Sequence, residues 1–187
     1  MFCGSRSGAD PVYLAAAATF GRMIAGRGLT LVYGGARVGL MGAVANAALE
    51  AGGTVTGIIP KMLVSKEVAH DELSKLILTD TMHDRKDQMI AMSDAFVALP
   101  GGFGTYDELF ETMTLAQIGL HEKPNALLDI GGFFQPLLAL VRHTVATGFA
   151  APEHGTMLIV EEDPARLLDA VLAWKAPPPV QKWILPR

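Results

Sequence analysis

The sequence predicts one α/β domain built on a doubly wound parallel sheet flanked by helices. Three observations carry that expectation. Short apolar segments alternate with amphipathic ones along nearly the whole chain, as repeated βαβ units require. Most of the apolar segments are continuous rather than alternating, the pattern of strands buried on both faces of a parallel sheet. Glycine-rich turns stand where strand-like segments run into helix-like ones, which is where ligands bind such sheets.

The elements follow in order. Phe2–Gly4 already reads as the end of a first strand. Pro11 precedes a helix over Tyr13–Ala25, and Gly26 and Gly28 close it, the usual placing of these residues at helix boundaries. Then come strand Leu29–Tyr33, helix Met41–Ala51 and strand Thr54–Ile59. A polar loop, Pro60–Asp71, leads to strand Leu76–Leu78 and helix Met82–Met92. Strand Ala95–Leu99 and helix Tyr106–Ile118 follow, then strand Ala126–Leu128, helix Phe134–Thr147, strand Met157–Val160 and helix Pro164–Trp174. Right-handed crossovers turn this order into a Rossmann-like sheet. Residues 1–176 make that single domain, and 177–187, opening on Pro177-Pro178-Pro179, an extended proline-rich tail.

Composition narrows the function. The net charge is −4 and no long basic run occurs, which excludes a nucleic-acid footprint. Cys3 is the only cysteine, so no intramolecular disulfide can form and no cysteine metal site is expected. No stretch has the length and apolarity of a membrane span. Met1–Gly8 lacks the pattern of a secretory signal, so a cytoplasmic protein is expected.

The chemistry concentrates in Leu99-Pro100-Gly101-Gly102-Phe103-Gly104-Thr105-Tyr106-Asp107-Glu108. Its glycines sit between a buried strand and a helix, where backbone can approach a ligand closely. Unpaired amides and the positive end of the helix dipole then form an anion cradle, most often for phosphate. Glu108 admits two readings. With Thr105 it matches a capping box; over a phosphate cradle it is a candidate catalytic carboxylate. Asp107, its neighbour, does not share its helix face and reads as a solvated acid. A second corner, Gly34-Gly35-Ala36-Arg37-Val38-Gly39-Leu40-Met41-Gly42, either contacts ligand or packs helix on strand. It is not G-x-G-x-x-G, the following strand ends at Ile59-Pro60-Lys61 without a ribose-binding acid, and no P-loop occurs. Met82-His83-Asp84-Arg85-Lys86 places two cations at a helix N-terminus, which the dipole disfavours and an anionic ligand would explain. Glu67 and His70 lie in the polar loop; His70 reads as surface charge and His83 as structural. The methionines along 82–92 and Met113 read as core or subunit interface.

Pro100-Gly101-Gly102-Phe103-Gly104-Thr105-Tyr106-Asp107-Glu108 resembles the PGGxGTxxE motif of the Lonely Guy family, cytokinin-activating phosphoribohydrolases often mislabelled as lysine decarboxylases. Met82-His83-Asp84-Arg85-Lys86 is similar to that family's MHxRK segment. Cys3-Gly4-Ser5, the Tyr33-Gly34-Gly35 loop, Ala116-Gln117-Ile118-Gly119 and Lys123-Pro124 match as well. The resemblance covers nearly everything but the tail. It implies hydrolysis of the N-glycosidic bond of a nucleoside 5′-monophosphate, with Arg85 and Glu108 as the catalytic pair. Substrate contacts would come from Gly4, Ser5, Gly34, Gly35, Glu67, Arg85, Lys86, Gly101, Gly102, Phe103, Gly104, Thr105, Tyr106, Asp107, Glu108 and Thr114. It further implies a homodimer with sites near the interface, and no metal or cofactor. Two departures stand out: Ala36 where many relatives have glycine, and Asp107 where many have Glu. The alternative is a nucleotide- or molybdenum-cofactor-binding protein without turnover.

Overall fold

The structure is a computed structural model and describes residues 1–64 and 69–176; Glu67 and the tail 177–187 lie outside the described residues. The first half comprises α1 (Pro11–Gly26), β1 (Thr30–Tyr33), α2 (Gly39–Glu50), β2 (Thr54–Pro60), β3 (Lys75–Thr79) and α3 (Met82–Met92). The second half comprises β4 (Phe96–Ala98), α4 (Phe103–Gln117), β5 (Asn125–Leu128), α5 (Gln135–Ala146), β6 (Leu158–Glu161) and α6 (Pro164–Leu172).

Every strand pair is parallel, in two runs ordered β1-β2-β3 and β4-β5-β6. The N-terminal segment joins them. Phe2 makes a parallel bridge to Ala98, its N–H donates to the Val97 carbonyl, and the Met1 ammonium donates to the Val32 carbonyl at 2.6 Å. The expected strand Phe2–Gly4 is thus a single bridge. Its continuation is spent elsewhere: the Gly4 N–H goes to the Pro100 carbonyl, while the Gly4 carbonyl accepts from the Leu40 and Met41 amides at 3.0 and 3.2 Å. Strand order runs outward on both sides of this segment, which is therefore the switch point where open α/β sheets bind ligands.

Alternate residues of each strand feed opposite cores. Leu31, Tyr33, Val55, Val97 and Leu99 pack with Phe20, Val44 and Leu167 under α1, α2 and α6. Val32, Ile58, Phe96 and Ala98 pack with Met89, Leu109 and Leu137 under α3, α4 and α5. Of the methionines, Met89 is buried and Met113 half-buried, whereas Met82 and Met92 are exposed.

Two expectations change, one at a helix start and one in the β2–β3 connection. The Thr105–Glu108 capping box does not form. The chain turns helical directly after Gly102, which is the N-cap without any side-chain cap, so Thr105 and Glu108 fall inside α4 and face inward. A capping box forms instead at α3, where the Asp84 amide donates to Thr81 Oγ1 at 3.0 Å and the Thr81 amide to Asp84 Oδ2 at 3.1 Å. His70 is not surface charge. It is buried, with Nε2 2.7 Å from Asn46 Oδ1, Nδ1 accepting the Glu72 amide at 3.2 Å, and its own amide donating to the Gly35 carbonyl. Those contacts tie the β2–β3 connection to α2.

Candidate active site

A cavity of about 580 Å³ opens at the switch point, within the range of small-ligand sites. One wall is the loop Gly4 to Gly8; the opposite wall is the turn Pro100 to Thr105 that opens α4. The turn is built for close approach. A Cβ on Gly101 would run into the Thr105 side chain, whereas beside Gly102 and Gly104 there is open space. With no side chain capping α4, its first amides and its positive dipole end are left for a ligand.

Beneath the cradle, Arg85 Nη1 donates to Glu108 Oε1 at 2.7 Å, and both side chains are 8% exposed. Helix α3 delivers Arg85 across the sheet edge, where its Nε donates to the Ile58 carbonyl at 3.0 Å. Gly34 makes the room, since a Cβ there would overlap Arg85 Nη2. The guanidinium is therefore held on three sides. Burial pushes the Glu108 carboxyl above the usual carboxylate range, and the Arg85 guanidinium offsets part of that rise. Cys3 also borders the cavity, but burial pushes its thiol up to about 12, so it supplies no thiolate nucleophile.

Of the residues expected at the site, Gly4, Ser5, Arg85, Gly101, Gly102, Phe103, Gly104, Thr105 and Glu108 line this cavity. Gly34 and Gly35 do not; they lie buried behind it, Gly35 against Ile58 and Ile59. The second glycine corner is a packing joint, because Gly39 abuts Ser5 and Arg6, and Gly42 abuts the Arg37 carbonyl. Lys86 points away from the cavity, its Nζ 3.1 Å from Asp107 Oδ2 and 3.0 Å from Glu111 Oε2. Burial works against the Lys86 charge, yet the bonds to Glu111 and Asp107 outweigh it and hold its pKa up. Tyr106 stacks on Phe133, and Thr114 is exposed with its hydroxyl on the Phe110 carbonyl at 2.6 Å. Sequence reasoning missed Tyr13, Leu63 and Phe133, which complete the cavity wall. Tyr13 could have been flagged by its place just after the Gly4–Gly8 loop; Phe133 carries no local signal.

Comparisons with known proteins give the chain its relatives. The profile of the family described as possible lysine decarboxylase matches residues 41–171. The chain is 46% identical to the cytokinin riboside 5′-monophosphate phosphoribohydrolase of Rhodococcoides fascians, over 87% of this chain and 83% of that one. It is 42% identical to the cytokinin riboside 5′-monophosphate phosphoribohydrolase LOG of Oryza sativa subsp. japonica, over 90% of this chain and 69% of that one. Among solved structures, the molybdenum cofactor binding protein of Rippkaea orientalis superposes with a TM-score of 0.65, at 24% identity, covering 89% of this chain and 90% of that one. That last likeness is one of fold.

Proposed function

Because the chain belongs to the Lonely Guy family, the family of its profile match and of its 46% identical relative, we propose that it hydrolyses the N-glycosidic bond of adenosine 5′-monophosphate and its N6-substituted forms. The products are the free adenine-type base, a cytokinin where the substituent is a prenyl group, and ribose 5-phosphate. The protein is an enzyme of the N-glycosidase class. The observation that supports this reading best is the buried Arg85–Glu108 pair, 2.7 Å apart, under an uncapped helix N-terminus.

The chemistry follows from that pair. As the bond from C1′ to the base nitrogen breaks, the base leaves with the electron pair and takes a proton from solvent at a ring nitrogen. That proton balances the one that Glu108 gains from water and returns to solvent. Positive charge builds on the ribose. The Glu108 carboxylate stabilises that charge and takes a proton from the water that adds to C1′. Its raised pKa makes it a better base than an ordinary carboxylate. Arg85 fixes the carboxylate in one orientation with a planar donor set. Gly101 to Thr105 hold the phosphate, so that binding energy remote from C1′ positions the sugar. Gly4 and Ser5 contact the nucleotide from the opposite wall. Lys86, Tyr106, Asp107 and Thr114 act in support, Lys86 by clasping α3 to α4. Lysine decarboxylation fits poorly: Lys86 is held charged by two carboxylates, the reverse of what a Schiff-base lysine needs.

The working form in this reading is a homodimer with sites near the interface. Phe103 is 93% exposed, and Phe110, Ile118 and Leu120 follow it along α4 and beyond, an apolar surface of the kind subunits cover. Among the described residues no helix is long and apolar enough to cross a membrane; we place the protein in the cytoplasm, with a nucleoside monophosphate as its partner and no nucleic acid. The test is incubation with adenosine monophosphate and isopentenyl-adenosine monophosphate, followed by chromatography. Free base and ribose 5-phosphate in equal amounts are expected. Nucleotide that binds yet persists would overturn hydrolysis in favour of a carrier.

A further inference from the structure

We propose that Arg6 is the cation that pairs with the substrate's 5′-phosphate and sets the preference for nucleotide over nucleoside. This rests on the phosphate-cradle reading above. A phosphate monoester carries about −1.5 to −2 charge at pH 7. An uncapped helix N-terminus answers that with roughly half an elementary charge. Only two cations border the cavity among the described residues, Arg85 and Arg6. Arg85 is already neutralised by Glu108 and spends its Nε on a carbonyl. Lys86 is bound to two carboxylates and lies off the cavity. Arg6 is exposed, borders the cavity, and its guanidinium has no hydrogen-bond or ion-pair partner among the described residues.

Its backbone is set, although its head is free. A Cβ on Gly4 would stand 3.1 Å from the Arg6 carbonyl and 3.2 Å from Gly101 Cα, so Arg6 starts beside the cradle. On the other side Gly39 packs against the Ser5–Arg6 peptide, and the Gly4 carbonyl is fastened to the first turn of α2. A long planar donor on a fixed stem beside an uncompensated anion seat is the arrangement for a bidentate phosphate contact.

The test compares wild type, Arg6→Ala, Arg6→Lys and, as a control, Arg22→Ala on the outer face of α1, on adenosine monophosphate and on adenosine. Arg6→Ala should raise KM for the nucleotide about tenfold, the low end for a charge-assisted contact at an exposed site, with kcat within about twofold. Activity on adenosine should not move, so the nucleotide-to-nucleoside ratio collapses. Arg6→Lys should recover part of the loss, because charge survives and the fork does not. Equal KM in Arg6→Ala and Arg22→Ala, or equal losses on both substrates, would overturn the assignment. Should wild type release no adenine, hydrolysis itself fails, and Arg6 is then read by calorimetric titration with adenosine monophosphate. Weaker binding by Arg6→Ala supports the proposal; equal binding, or none by either protein, refutes it.

Discussion

Arg85 and Glu108 form a buried pair in which each residue constrains the other, and this sets what substitution does. Glu108→Gln keeps shape and an acceptor for Arg85 but removes the charge that a ribosyl cation and an attacking water require. Turnover should fall by roughly 10² to 10⁴, the scale of a lost acid–base group. The melting temperature should fall too. Arg85 then sits buried without a counter-charge, at a cost of about 1–3 kcal/mol, below the ~3–5 of removing a buried partner outright. Wild-type turnover in Glu108→Gln would eliminate the carboxylate mechanism. The pH profile carries the same information: the acid limb of kcat/KM should lie above the ordinary carboxylate value of 4.5, because burial raises Glu108. Gly34 is a subtler case. A Cβ there would overlap Arg85 Nη2 and come within 2.9 Å of Met41 Sδ, so Gly34→Ala should lower turnover by displacing the guanidinium from Glu108. In an Arg85→Lys background, which has no Nη2, the same change should cost far less turnover, since only the contact with Met41 Sδ remains. Additive losses in the double variant would show that Gly34 acts through packing alone.

Helix ends decide which residues reach the cavity, and there the sequence was hardest to read. Thr105-Tyr106-Asp107-Glu108 and Thr81-Met82-His83-Asp84 both offer an N-cap hydroxyl with an acid three residues on. The box forms at Thr81, where the chain turns straight from β3 into α3, and fails at Thr105, because Gly102 lets the helix begin earlier. No local rule separates the two: Gly102 is an ordinary extended N-cap with φ −92°, three residues ahead of the Thr105 that the motif offers. The alternation of elements and the cradle were legible, from periodicity and from glycines at a strand-to-helix turn, whereas Arg85 and Glu108 were singled out as a pair only by the family resemblance of their two motifs. The seats of Lys86, Thr114 and Phe133 were not, because they depend on how α3, α4 and the approach to α5 pack. His70 shows the same limit: a polar residue in a polar loop that is buried by its bonds to Asn46 and Glu72. Burial also lowers its pKa below 6.5, as it does for His121. The unfolded chain takes up these protons first as pH falls, so stability present above 6.5 is lost below it. Between pH 7.5 and 5.5 the melting temperature should drop, and it should drop less in His70→Asn. Equal drops in both proteins would remove His70 as a source of the acid sensitivity.

At the scale of the molecule, the apolar surface around α4 needs a cover. Phe103, Phe110, Ile118 and Leu120 are exposed there, and Leu76 and Leu78 are exposed on β3, the outermost strand of its run. Sedimentation at micromolar concentration should give a dimer or larger, and charged substitutions at Phe110 and Ile118 should shift it toward monomer; a wild-type monomer would count against the proposed assembly. The two glycine corners make a second point about the whole fold. They look alike in sequence, each a strand running through glycines into a helix. Yet the carbonyl of Gly4 occupies the amides that open α2, and only the α4 corner stays vacant for an anion. One seat then serves both what arrives and what departs. Ribose 5-phosphate must vacate it before another nucleotide enters, while the released base has no claim on it. Inhibition by products should therefore be lopsided: competitive and strong from the sugar phosphate, weak from adenine. The rate of the enzyme in a cell would then track how fast ribose 5-phosphate is drawn away.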